Sequence, residues 1–165
     1  MGEKRAPVPK SGALAHRRQL VAGLGGRVVE IGAGHGPNFA LHPREVAEVL
    51  AVEPEATMRA AAAPAAPVPV RVVAGHAGSI PVPDGGADAM VSSLVLCSVL
   101  PDQGEALAEI VRVLRPGGEL RFYEHVRSTG AVGGRLQDAL TPLWRRVTGN
   151  CHPNRATLQP SAPPV

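Results

Sequence analysis

Short runs rich in β-branched residues alternate with segments of helical periodicity along this chain. Strands are predicted over residues 27–31, 46–52, 68–74, 87–92 and 119–124, and helices over 11–22, 55–63, 103–114 and 134–147. Strands that alternate with helices form parallel sheets with right-handed crossovers. The pattern therefore predicts an α/β fold built around a mainly parallel sheet.

Three local signals refine these helices. Ser11 is the expected cap of the first helix. The third helix carries an apolar stripe that we expect to lie in the core, made of Leu107, Ile110, Val111 and Leu114. Pro142 is expected to kink or split the last helix, because its ring removes a backbone donor.

The loop after the first strand carries the strongest candidate chemistry. Glu30 closes the strand, and Gly32, Gly34 and Gly36 follow at alternate positions. Glycines at a strand end let the backbone approach a ligand closely. The dinucleotide fingerprint needs glycine or alanine at position 37, where Pro37 stands and removes a phosphate-binding donor. The loop therefore favours a ligand without a diphosphate.

A second carboxylate strengthens this interpretation. Glu53 ends the second predicted strand, about one β-α-β step after Glu30. A carboxylate at that position can accept hydrogen bonds from both hydroxyls of a ribose. The two features on successive strands predict a nucleoside-bearing ligand.

Length and composition narrow the organisation of the chain. Its 165 residues suffice for one domain, predicted over 11–150, between a flexible leader at 1–10 and a Pro-rich tail at 151–165. The net charge of +3 is spread along the chain, which disfavours nucleic-acid binding. We expect no signal peptide and no membrane span, and a cytoplasmic protein.

Two cysteines, Cys97 and Cys151, lie far apart in the sequence and lack C-x-x-C spacing. Cys97 is interpreted as a small buried hydrophobe. The pair Cys151 and His152 offers only two ligands, which make a poor metal site. We therefore expect no metal in this protein.

Five motifs in order resemble class I S-adenosylmethionine-dependent methyltransferases. They span residues 30–36, 52–54, 75–84, 88–99 and 109–118. Segments 94–99, 122–126 and 149–155 look more closely like the methyltransferase-like thiol methyltransferases of animals and their bacterial relatives. The resemblance implies a Rossmann-like three-layer α/β/α sandwich, S-adenosylmethionine as cofactor, and methyl transfer to a thiol, hydroxyl or carbon of a small molecule.

The resemblance also assigns roles to single residues. Glu30 would hold the amino group of the cofactor, Glu53 its ribose, and His125 would act as the catalytic base. Gly32, Gly34 and Gly36 would line the methionine moiety, Met58, His76 and Ala77 would lie near the adenine, and Ser93 and Leu94 near the sulfonium. The remaining expected cofactor contacts are Ala33, Asn38, Pro54 and Gly78.

Two departures from the family leave alternatives open. His76 stands where the family has an acid, and could accept from adenine only as a neutral ring. The family also continues into two strands that form a hairpin beside strand five, which the Pro-rich residues 159–165 cannot supply. Either a second copy covers this edge in a homodimer, or the chain is a truncated, non-catalytic cofactor-binding domain. A nicotinamide oxidoreductase is a third alternative, which Pro37 disfavours.

Overall fold

The computed structural model describes residues 12–62, 65–99, 103–148 and 151–155. Its elements are, in chain order, α1 Gly12–Val21, β1 Gly26–Ile31, β2 Val46–Val52, α2 Ala56–Ala61, β3 Val70–Val73, β4 Ala87–Ser93, α3 Gln103–Val113, β5 Leu114–Tyr123 and α4 Ala131–Val147, with a short 3₁₀ helix at Phe39–Leu41. Ser11, the leader 1–10 and residues 156–165 of the predicted tail lie outside the described residues.

The five strands form one parallel sheet in the order β3-β2-β1-β4-β5. This confirms the predicted α/β fold with its mainly parallel sheet. Strand β5 lies at one edge, and among the described residues no further strand pairs with it. Among those same residues, no helix has the length and hydrophobicity to cross a lipid bilayer.

Alternation along the central strands sends side chains into two cores. Val29 and Ile31 of β1 pack with Ile110 of α3 on one face. Val28 packs with Leu24 on the other face, where the end of α1 lies. Both faces of β1 are therefore buried, as is usual for the central strand of a parallel sheet.

The predicted core stripe of α3 is partly wrong. Leu107 is 41% and Val111 73% exposed, whereas Ala106, Ile110 and Val113 are buried. These three residues have the spacing i, i+4, i+7 of a single helix face. The buried face of α3 therefore runs through these three residues, and Leu107 and Val111 lie on its exposed side.

The last helix also differs from the prediction. It begins at Ala131 rather than at residue 134 and runs through Pro142 to Val147 without being split. The Thr141 hydroxyl donates to the carbonyl of Gln137, one turn earlier. Residues 151–155, assigned to the tail, pack against the domain, where the His152 amide donates to the Cys97 carbonyl at 2.8 Å.

Candidate active site

The strand order defines where a ligand can bind. From β1 the chain proceeds outward to β2 and β3, then crosses back to β4 on the other side of β1. Open parallel sheets bind ligands at such a switch point, beyond the carboxyl ends of the strands. Here that position lies above Ile31 and Ser92, which are register partners of β1 and β4.

The glycine loop stands directly at this switch point. Gly32, Gly34 and Gly36 have φ values of +59°, +57° and +87°, a region that other residues rarely adopt. A Cβ on Gly32 would collide with Val95, and one on Gly36 with the ring of Phe39. A Cβ on Gly34 would meet nothing within 4 Å. The loop is therefore packed against the domain at its two ends and open at Gly34.

Glu53 ties the open glycine to the end of β2. One carboxylate oxygen accepts from the Gly34 amide at 2.8 Å, and the other accepts from the Glu55 amide at 2.9 Å. The side chain is held in place, and each oxygen keeps a second lone pair for a ligand. Next to it, Pro54 is exposed and Met58 on α2 is 44% exposed.

Glu30 lies beneath the loop rather than within the cleft. It is only 1% exposed, and its carboxylate accepts from Asn38 Nδ2 at 2.7 Å. His42 Nε2 lies 3.5 Å from the other oxygen. These contacts make Glu30 and the buried Asn38 a support for the glycine loop.

Arg17 of α1 lies at this edge of the sheet, which the sequence analysis did not predict. Its Nη1 donates to Asn38 Oδ1 at 3.0 Å and to Ser93 Oγ at 2.9 Å. A single guanidinium thus joins the glycine-loop side of the site to the end of β4. No local motif marks this arginine, because its partners are 21 and 76 residues away in the sequence.

The loop after β3 fixes the tautomer of His76. The Gly78 amide donates to His76 Nδ1 at 3.2 Å. In the neutral ring the hydrogen is therefore on Nε2, which can donate but not accept. The expectation that neutral His76 accepts from an adenine amino group requires this bond to break. Ala77 beside it is buried.

A strained turn follows β4. Leu94 has φ +61°, which is uncommon for a residue with a side chain. The Glu124 carboxylate accepts from Ser92 Oγ at 2.6 Å and from the amides of the next turn, Val95, Leu96 and Cys97, at 3.0–3.1 Å. Four donors on one carboxylate hold the turn in place despite the strain.

Beyond this turn the fold brings together three side chains from distant segments. Cys97 Sγ and Cys151 Sγ lie 3.1 Å apart, and His125 Nδ1 lies 3.2 Å from Cys151 Sγ. Burial, the neighbouring Cys151 thiol and the Glu124 charge raise the pKa of Cys97 to about 12. His125, the predicted base, thus faces two protein thiols, a neighbourhood that sequence spacing did not reveal.

These features place a glycine loop and a fixed carboxylate at the switch point of an α/β domain, and comparison with known proteins specifies its family. Residues 29–122 match the family described as a methyltransferase domain. The chain is 34% identical over 146 residues to the human thiol S-methyltransferase TMT1A, covering 83% of this chain and 59% of that protein. It is 34% identical over 136 residues to the demethylmenaquinone methyltransferase of Beutenbergia cavernae, covering 79% and 56%.

A solved structure agrees with the same assignment. The S-adenosylmethionine-dependent methyltransferase from Thermotoga maritima superimposes with a TM-score of 0.66 at 27% identity, over 88% of this chain and 65% of that one. The chain belongs to the methyltransferase domain family, whose cofactor is S-adenosylmethionine. It spans a little over half the length of the two curated relatives.

The residues present fit this cofactor. The site offers a backbone cradle that is open at Gly34 and a fixed carboxylate, Glu53, for a ribose. Arg17 adds a cation at the same edge, where a carboxylate could bind. The phosphate-binding donor that Pro37 lacks is not needed, because S-adenosylmethionine carries no phosphate.

Proposed function

We propose that this protein binds S-adenosylmethionine and transfers its methyl group to the thiol of a small molecule. The observation that carries the binding step is the hydrogen bond from the Gly34 amide to Glu53 at 2.8 Å. It joins the open glycine to a ribose-binding carboxylate across the ends of two neighbouring strands. That juxtaposition supports a nucleoside whose sugar and remaining substituent bind at adjacent positions.

Each residue in the cleft then has a binding task. Glu53 accepts from the ribose hydroxyls through its remaining lone pairs. Gly34 lets the methionine moiety approach the backbone, because no side chain fills that space. Arg17, already oriented by Asn38 and Ser93, provides the positive charge for the methionine carboxylate.

When bound, the cofactor supplies a methyl group on a sulfonium with a good leaving group. The protein therefore has to align the acceptor with that carbon and remove the acceptor's proton. Glu124 fixes the turn at 94–97, which forms one wall of this edge. His125 follows Glu124 and is half-buried at the same edge, where its predicted role is to remove the proton of the acceptor.

A thiol acceptor is favoured over a hydroxyl or a carbon. The human relative named above is a thiol S-methyltransferase, and it is matched over most of this chain. Two of the segments that carry the closer resemblance, 94–99 and 149–155, include Cys97 and Cys151, whose sulfurs lie 3.1 Å apart. The demethylmenaquinone methyltransferase makes a quinol the competing acceptor.

The binding step is tested by isothermal titration with S-adenosylmethionine and S-adenosylhomocysteine. Glu53→Ala should lose at least tenfold in affinity, roughly the value of one charge-assisted hydrogen bond. Glu48→Ala is the matched control, because Glu48 lies on the same strand but pairs with Arg27 at the surface. A folded protein that binds neither compound would overturn the proposal.

The transfer step is tested with a labelled methyl group and matched acceptors. Alkyl thiols should be methylated, whereas phenols and quinols of similar size should react at least tenfold more slowly. Binding without transfer to any acceptor would instead identify a non-catalytic cofactor-binding domain. Transfer to the quinol alone would overturn the thiol assignment.

Three expectations about the cellular context remain part of this proposal. The two cysteines are free thiols, which fits a reducing compartment such as the cytoplasm. The outer edge of β5 lacks a partner strand among the described residues, which suits pairing with a second copy. The spread of basic charge supports a small-molecule acceptor rather than a nucleic acid.

A further inference from the structure

Cys97, His125 and Cys151 form a compact cluster at the carboxyl edge of the sheet. Cys97 lies in the turn after β4, His125 just beyond β5, and Cys151 in the segment after α4. Their sulfur and nitrogen atoms all lie within 4.8 Å of one another. Both thiols are buried, and His125 is half-buried. Three soft ligand atoms thus converge from three separate segments.

We propose that Cys97, His125 and Cys151 bind a soft divalent cation of the Zn²⁺ type. Zinc takes thiolate and imidazole ligands in a tetrahedral arrangement, with neighbouring ligand atoms about 3.5–3.8 Å apart. The observed separations are 3.1 Å between the sulfurs, and 3.2 and 4.0 Å from Nδ1 to Cys151 and Cys97. Shifts of well under 1 Å would therefore complete three corners of the tetrahedron.

Charge and chemistry favour a cation over the alternatives. Two thiolates neutralise a divalent ion, so the buried centre would carry no net charge. Packing of two thiols as small hydrophobes would not require an imidazole nitrogen directed at them. Both cysteines are free thiols, so neither sulfur is committed to a disulfide. Metal binding uses all three of these side chains together.

The backbone around the cluster is fixed by contacts that do not involve the ligands' side chains. Glu124 holds the amides of the turn that contains Cys97. The His152 amide donates to the Cys97 carbonyl at 2.8 Å, and Arg155 donates to the Val99 carbonyl at 2.5 Å. The segment after α4 is thereby attached to the turn after β4. Such support holds ligands in place before an ion binds.

The ion would retain one position for the acceptor, and this part rests on the proposed function. Three protein ligands leave the fourth corner open, as in catalytic zinc sites. A thiol bound there would release its proton to solvent and remain as a thiolate. Its sulfur lone pair would form the bond to the methyl carbon, and the bond from that carbon to the sulfonium sulfur would break. In this arrangement His125 is a ligand and not a base.

The test uses Co²⁺ as a spectroscopic probe on the purified, reduced and chelator-treated full chain. One equivalent should bind with thiolate-to-cobalt charge-transfer bands and the intense visible bands of a tetrahedral site, and Zn²⁺ should displace it. Cys97→Ser, Cys151→Ser and His125→Ala should each weaken cobalt binding by about 100-fold or more. Loss of a residue that only supports a ligand would weaken cobalt binding by less than this. His16→Ala is the imidazole control outside the cluster and should leave cobalt binding unchanged.

Each result distinguishes this site from the proposed function. Reduced protein that takes up no cobalt, or cobalt binding that all three variants retain, would overturn the metal site. Circular dichroism and S-adenosylmethionine titration of the same variants establish that they are folded. If cobalt binds with thiolate bands but S-adenosylmethionine does not bind, the metal site is supported and the methyltransferase proposal is refuted. Addition of an alkyl thiol should shift the charge-transfer bands, and unchanged bands would overturn the open acceptor position.

Discussion

Gly32 is the position where the structure makes its sharpest quantitative prediction. Its φ of +59° already disfavours any residue with a side chain. In addition, a Cβ there would lie closer than 3.0 Å to both methyl carbons of Val95. Valine is stiff about χ1, so these methyl groups cannot rotate away cheaply. Gly32→Ala therefore combines backbone strain with overpacking.

The two costs can be separated, because Gly34 experiences only one of them. Left-handed backbone costs about 1–2 kcal/mol for a residue other than glycine. Overpacking of a closed site costs about 1–3 kcal/mol. Gly34 has nearly the same φ, +57°, but open space around its Cβ position. We expect Gly32→Ala to lose about 2–5 kcal/mol of unfolding free energy and Gly34→Ala about 1–2 kcal/mol.

Urea denaturation followed by circular dichroism measures both losses. Val95→Ala in the Gly32→Ala background should relieve the clash, so the two changes together should cost about 1–3 kcal/mol less than their sum. Equal losses at Gly32 and Gly34, or strict additivity of the Gly32 and Val95 changes, would refute the packing argument. Gly34→Ala should in addition weaken cofactor binding, because no protein atom occupies the space around its Cβ position.

Three further predictions concern single side chains. Glu124→Gln should lower the unfolding free energy by about 2–3 kcal/mol, because an amide would face donors that now bind a carboxylate. Glu119→Gln, on the exposed part of β5, is the control and should change the unfolding free energy little. The hydrogen bonds of Arg112 hold the pKa of Glu109 at about 2 against 4.5 for the ordinary carboxyl, so its contribution to stability is complete above about pH 4.5 and is lost as the pH falls towards 2. Urea midpoints measured across that range should fall less steeply in Glu109→Gln. Arg17→Ala should weaken S-adenosylmethionine binding about tenfold, with partial recovery in Arg17→Lys, as measured by titration.

The sequence by itself determined the two neighbouring strands β1 and β2 and the glycine spacing of the first loop. The predicted strand at 46–52 coincides with β2, and the predicted strand at 27–31 lies within β1. These strands could be predicted because their signal, a short run of apolar and β-branched residues, lies entirely within each segment. The glycine spacing from Gly32 to Gly36 is equally local, because each residue must satisfy its own backbone conformation.

Local pattern could not decide which side of a helix faces the sheet. The apolar stripe of α3 is wide enough for several orientations, and the structure buries Ala106 and Val113 while Val111 remains exposed. The choice depends on how closely the helix approaches the strands. That distance is set by the sheet, whose twist and neighbours are not encoded within the helix itself.

Only the tertiary structure decided which distant residues share the site. Arg17 meets Ser93 across 76 residues, and Cys97 meets Cys151 across 54. Neither pair has a spacing that marks it, since the positions are joined by the strand order and not by the chain. The carboxyl ends of the parallel strands gather at one edge of the sheet, where α1 and the segment after α4 contact the residues at the end of β4 and in the turn that follows it. Sequence periodicity thus specified the elements, whereas the convergence of their ends produced the chemistry.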